Sequence, residues 1–87
     1  MSYSFTARGA DKAEAIANVK IELDRVVKAQ PVHAADYDAA LAAAKSCVAA
    51  LSENANGRQV QVSLNGSIST TNEGAQQIVL NLTAQLL

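Results

Sequence analysis

Charge is the first scarcity. The 87 residues hold 7 Lys or Arg against 8 Asp or Glu, a net charge of −1, and Glu73 is the one charged residue between Gln59 and Leu87. A chain so balanced lacks the basic face that displaces counterions from a phosphate backbone, so no nucleic-acid partner is expected. Cysteine is nearly absent too. Cys47 stands alone and cannot form a disulfide within the chain, which fits a reducing compartment. No run of 18 or more apolar residues occurs, so no membrane-spanning helix is expected. Met1-Ser2-Tyr3-Ser4-Phe5 has no charged segment leading into a hydrophobic one, so no secretion signal is expected either.

Aromatic residues are limited to Tyr3, Phe5 and Tyr37, and alanine makes up much of the 49% apolar content. A chain of this length forms one domain and buries only roughly 60–65% of its unfolded surface. An alanine-rich core gains little at roughly 25 cal/mol per Å². Either the helices pack unusually close, or self-association adds burial; the second is the favoured expectation.

The catalytic inventory is equally thin. His33 is the one histidine, so no triad or Cys–His pair can draw on another. Next to Pro31 it reads as a surface residue at a helix start. Cys47 lies beside an apolar stripe with no cation placed to lower its pKa, and reads as a structural thiol. One Cys and one His cannot complete a tetrahedral zinc site. Asp36 and Asp38, two apart on a helix, face apart and read as partners of the helix dipole. Gly57 and Gly66 fit no phosphate-cradling loop. The expectation is a protein that is not an enzyme, with no catalytic residues, no metal and no cofactor.

What is present is pattern. Tyr3, Phe5 and Ala7 alternate with Ser4, Thr6 and Arg8, which predicts a strand over 2–8 ended by Gly9. Asp11 and Glu14 have capping-box spacing, and Ile16, Val19, Leu23, Val26 and Val27 recur at helical spacing, predicting a helix over 11–29. Lys20–Asp24, Asp24–Lys28 and Glu22–Arg25 are spaced to pair on its solvent side. Pro31 interrupts. Tyr37, Leu41, Ala44, Val48 and Leu51 then mark one face of a second helix over 33–54, with Asn56-Gly57 as its stop. Two further alternating runs, 58–70 and 76–86, flank Thr71-Asn72-Glu73-Gly74 and predict a hairpin, with Gly66 marking a bulge.

The order β-α-α-β-β predicts a single-domain α+β fold. A three-stranded, mainly antiparallel sheet carries a helical hairpin on one face. Pairing of the first strand with the second is favoured over pairing with the third, and both remain open. The outer face of the predicted hairpin brings Gln59, Gln61, Ser63 and Asn65 beside Gln77, Val79, Asn81 and Thr83. Such a face is polar yet uncharged, whereas sheets normally carry Lys or Glu that discourage edge pairing. It is either a plain water-facing surface or a contact surface for another chain, by face packing or strand addition.

The run Tyr3-Ser4-Phe5-Thr6-Ala7-Arg8-Gly9-Ala10-Asp11-Lys12-Ala13-Glu14-Ala15, the junction Val27-Lys28-Ala29-Gln30-Pro31-Val32-His33-Ala34-Ala35-Asp36 and the Ser/Asn-rich closing strands together resemble small proteins of tailed bacteriophages and prophages. The resemblance implies an accessory protein in the cytoplasm of a bacterial host or in the virion. It would contact itself, another phage protein or a host protein. A self-associating virion or assembly component is the leading expectation. A stoichiometric inhibitor of a host defence protein is the alternative, and a small-ligand-binding oligomer the third.

Overall fold

A computed structural model describes residues 1–51 and 58–87. The elements follow the predicted order: β1 (Ser2–Gly9), α1 (Lys12–Ala29), α2 (Tyr37–Ala49), β2 (Val60–Thr70) and β3 (Gln76–Leu86). The sheet is three-stranded and antiparallel throughout, in the order β1-β2-β3. The favoured pairing of the first strand with the second is therefore the one adopted. Both helices pack on one face: α1 lies chiefly over β1, and α2 reaches across to β3.

Local chemistry accounts for each boundary. The Asp11 carboxylate accepts the Glu14 N–H at 2.8 Å, and the Glu14 carboxylate accepts the Ala10 N–H at 3.2 Å. Together these partner two backbone donors at the start of α1. Helix α1 buries Ala15, Val19 and Leu23, positions four apart on one stripe. Of the three predicted ion pairs only Glu22–Arg25 forms, at 2.7 Å. Asp24 is taken instead by the Tyr37 hydroxyl, which donates to it at 2.8 Å and ties the two helices together. The hairpin turn is closed by a bond from Thr71 N–H to Ala75 O at 2.7 Å, with Gly74 at φ +83°, a left-handed backbone that favours glycine.

Three expectations need correction. The second helix starts at Tyr37, not at residue 33: Pro31–Ala35 form a short 3-10 helix first. It ends at Ala49, so the predicted continuation to 54 fails at Ala50, and residues 52–54 with the Asn56-Gly57 stop lie outside the described residues. Gly66 marks no bulge, because β1 and β2 pair without a break from Gly9↔Val60 to Ser2↔Ser67. Glycine is needed there for room: a Cβ would sit 2.5 Å from the Tyr3 ring, which lies across its cross-strand partner.

The core comprises Ala7, Ala15, Val19, Leu23, Ala40, Ala44, Val48, Val60, Val62 and Leu64. Small residues on α2 let it sit close to the sheet. Its buried stripe centres on Ala40, Ala44 and Val48, while Tyr37, Leu41 and Leu51 flank that stripe half-buried.

Candidate functional site

The helices cover one side of the sheet, and register fixes what the open side presents. Cross-strand partners place Ser4, Asn65 and Asn81 in one row and Thr6, Ser63 and Thr83 in the next. Arg8, Gln61 and Gln85 form a third row, and Ser2, Ser67 and Val79 a fourth. Gln77 lies opposite Ser69 beyond them, and Gln59 sits just before β2 with its carbonyl accepting the Leu87 N–H at 2.8 Å. The eight residues named from the sequence therefore share one surface, although Gln59 stands outside the strand itself.

Sequence reasoning stopped at the hairpin. The structure extends the surface onto β1, through Ser2, Ser4, Thr6 and Arg8, all exposed. Their alternation in β1 was legible, but their place beside β2 follows only from strand order. Arg8 is the one charge in these rows, and its Nε donates to Gln61 Oε1 at 2.9 Å. Thr6 and Ser63 hydroxyls meet at 3.3 Å. The surface holds a depression of about 420 Å³ lined by Ser2, Ser4, Asn65, Ser67, Val79 and Asn81, together with Tyr3 and Gly66. Such a surface offers hydrogen-bond donors and acceptors in quantity, with one hydrophobic residue, Val79, 44% exposed.

Beneath the other side lies a polar cluster that sequence reasoning misplaced. His33, expected at the surface, is 1% exposed, as is Asp36, read from the sequence as a partner of the helix dipole. The 3-10 turn after Pro31 folds both inward, with His33 Nδ1 3.3 Å from Asp36 Oδ2 and His33 Nε2 3.1 Å from Gln30 Oε1. Asp36 makes no side-chain capping bond to α2. Tyr3 meets His33 edge-on with ring centroids 4.6 Å apart. Tyr3 Oη and Asp36 Oδ1 are buried without a hydrogen-bond partner among the described residues. No sequence signal marks this pair beyond its i, i+3 spacing on a turn that was read as helix. Asp38, by contrast, is exposed in the first turn of α2, as expected.

Burial, then the charge of Asp36, pushes the Tyr3 hydroxyl up from 10.0 to about 12. The fold thus favours the neutral phenol. Its contribution to stability is complete below pH 10 and is lost as pH rises toward 12. A pKa unit corresponds to about 1.4 kcal/mol; because the ring is only half-buried, a loss of about 1–2 kcal/mol is expected after discounting for solvent screening. Tyr3→Phe should remove that alkaline loss and be at least as stable as the wild type below pH 10, because the hydroxyl it deletes is buried without a partner. Urea midpoints measured across this range check it; an unchanged alkaline slope in the variant would assign the loss elsewhere.

Cys47 is half-buried and free. Among the described residues no three His, Cys, Asp or Glu side chains are grouped to hold a metal ion, and no helix is long and apolar enough to cross a membrane. Compared with known proteins, the chain matches no protein-family model, no curated protein and no solved structure.

Proposed function

We propose that this chain is a non-catalytic accessory protein that acts by protein–protein contact, presenting the open face of its sheet to another chain. The observation that carries the reading is the composition of that face. Its rows Ser4–Asn65–Asn81 and Thr6–Ser63–Thr83 carry no charge, and Arg8 alone is charged among all the rows. A surface kept apart from other molecules gains from Lys and Glu. One that must be desolvated against a partner gains from their absence, because an imperfectly paired charge is costly to bury. The likeness of the opening strand and the helix junction to small phage proteins supports an accessory role of that origin. A broad polar face on an elongated body of 49 × 22 × 16 Å suits a component of an assembly.

Lysines at the centre of the face test the reading. Gln61→Lys with Asn65→Lys changes only side chains of the open surface. Losing the Arg8–Gln61 bond and placing a like charge opposite Arg8 should cost no more than about 1 kcal/mol, so unfolding by heat should fall only slightly below that of the wild type. The tagged wild-type chain, used as bait in the cells that make it, should retain a specific protein. The double variant should retain it about tenfold less or worse, the equivalent of about 1.4 kcal/mol. Equal retention by both would remove the face from the contact and the reading with it.

A further inference from the structure

The two edges of the sheet are not equivalent. Met1 and Ile68 exchange both backbone hydrogen bonds, each at 2.8 Å. Because successive residues of a strand point their N–H and C=O groups to opposite sides, even-numbered β2 residues bond to β1 and odd-numbered ones to β3. It follows that Ser2, Ser4, Thr6 and Arg8 direct their backbone groups away from the sheet at the β1 edge. At the β3 edge Gln76, Ile78, Leu80, Leu82, Ala84 and Leu86 do so.

The β1 edge is obstructed. Asn18 on α1 donates to the Arg8 carbonyl at 2.6 Å, one of those outward groups. The β3 edge pairs with no described strand. It runs for 11 residues without charge, proline or a break in register, so apart from the Leu86 carbonyl at its end, which Arg58 engages, it carries none of the usual devices that block strand addition. Apolar surface lies along it: Ile78 is 39% exposed, and Leu80, Leu82 and Leu86 are only half-buried under α2.

We propose that β3 pairs antiparallel with β3 of a second copy, joining two sheets into one of six strands about a two-fold axis at Asn81. That register overlaps the whole strand. It sets Leu80 opposite the partner's Leu82, Ile78 opposite the partner's Ala84 and Asn81 opposite the partner's Asn81. Every outward-pointing residue then meets another, and the apolar side chains of both copies stay on the helix side. With no charge on β3, two copies meet without repulsion, which fits a second copy better than a charged partner. Arg58 Nη2 donates to the Leu86 carbonyl at 3.2 Å, so the ladder weakens at its two ends.

Eleven residues at about 3.4 Å each give a strip about 37 Å long. At a thickness of roughly 10 Å this covers on the order of 750 Å² from both copies, below the roughly 1,200–2,000 Å² of a stable complex. The dimer is accordingly concentration-dependent. The inference is independent of the open face, which dimerisation would leave exposed and twice as broad.

Light scattering after size exclusion tests it, over a concentration series reaching about 1 mM, the weak limit of specific association. The wild-type mass should rise from 9.0 kDa toward twofold. Ile78→Lys should move the midpoint at least tenfold higher, and Gln61→Lys with Asn65→Lys should leave it unmoved. In a Cys47→Ala background Asn81→Cys should oxidise to a covalent dimer, since such opposed residues lie about 4.5 Å apart, within the disulfide range of roughly 4.4–6.8 Å. Val79→Cys should not, because its two copies would lie about 14 Å apart along the strand. A monomer throughout overturns the inference. So does a dimer that tolerates Ile78→Lys, or one that links as readily through Val79→Cys. A dimer lost only with the face lysines would overturn the edge pairing while leaving the face as a contact surface.

Discussion

Asp36→Ala is expected to lower stability by about 1–3 kcal/mol, the cost of leaving the buried His33 ring nitrogen without its hydrogen-bond partner. Asp36 and His33 are each 1% exposed and face one another at 3.3 Å, so water cannot replace the lost carboxylate. A domain has only about 5–15 kcal/mol in total, and a small one stands at the lower end. The variant should therefore lose a large share of its margin. The double change His33→Leu with Asp36→Leu separates cause from position, because apolar replacement of both members of a buried pair is often neutral or stabilising. Asp38→Ala, exposed two residues on, should stay within about 0.5 kcal/mol. Urea denaturation of the four chains decides. If Asp36→Ala were as mild as Asp38→Ala, the pair would contribute nothing net to the fold.

Leu64→Ala should cost about 2–5 kcal/mol, the range for emptying a leucine-sized volume from a core. Leu64 lies on the central strand, wholly buried between its partners Phe5 and Leu82. Ala40 and Ala44 of the buried α2 stripe are too short to fill the space it would leave. Leu41→Ala on α2 should be milder, by about 1 kcal/mol or more, because Leu41 is half-buried at the margin of the same core and leaves no closed cavity. Chemical denaturation with an unchanged slope would confirm the order; equal losses would mean that α2 shifts to refill the core in one variant and not in the other.

Much of the candidate site could be read from the chain itself. The alternation in Gln59–Asn65 and Gln77–Thr83 placed those residues on one side, since successive side chains of a strand point to opposite faces. The surface proved wider because Ser4 and Thr6 join it through β2, a neighbour 57 or more positions away, and Ser4↔Asn65 and Thr6↔Ser63 are pairings that no local pattern encodes. The polar cluster was misread for a related reason. Pro31 announced a break, but whether the following turn points His33 outward or beneath Tyr3 depends on what packs against it.

The element order, the α+β class and the neutral character of the closing strands were settled by the sequence alone. Period-2 and period-3.6 patterns, the Asp11 cap and the Gly74 turn are all local properties. Strand order, the burial of His33 with Asp36, the role of Gly66 as a seat for the Tyr3 ring, and the contrast between the Asn18 contact on the β1 edge and a β3 edge that pairs with no described strand were decided only by tertiary structure. Each depends on contacts between residues far apart in the chain, whose pairing is chosen by how the helices and sheet bury their apolar faces together.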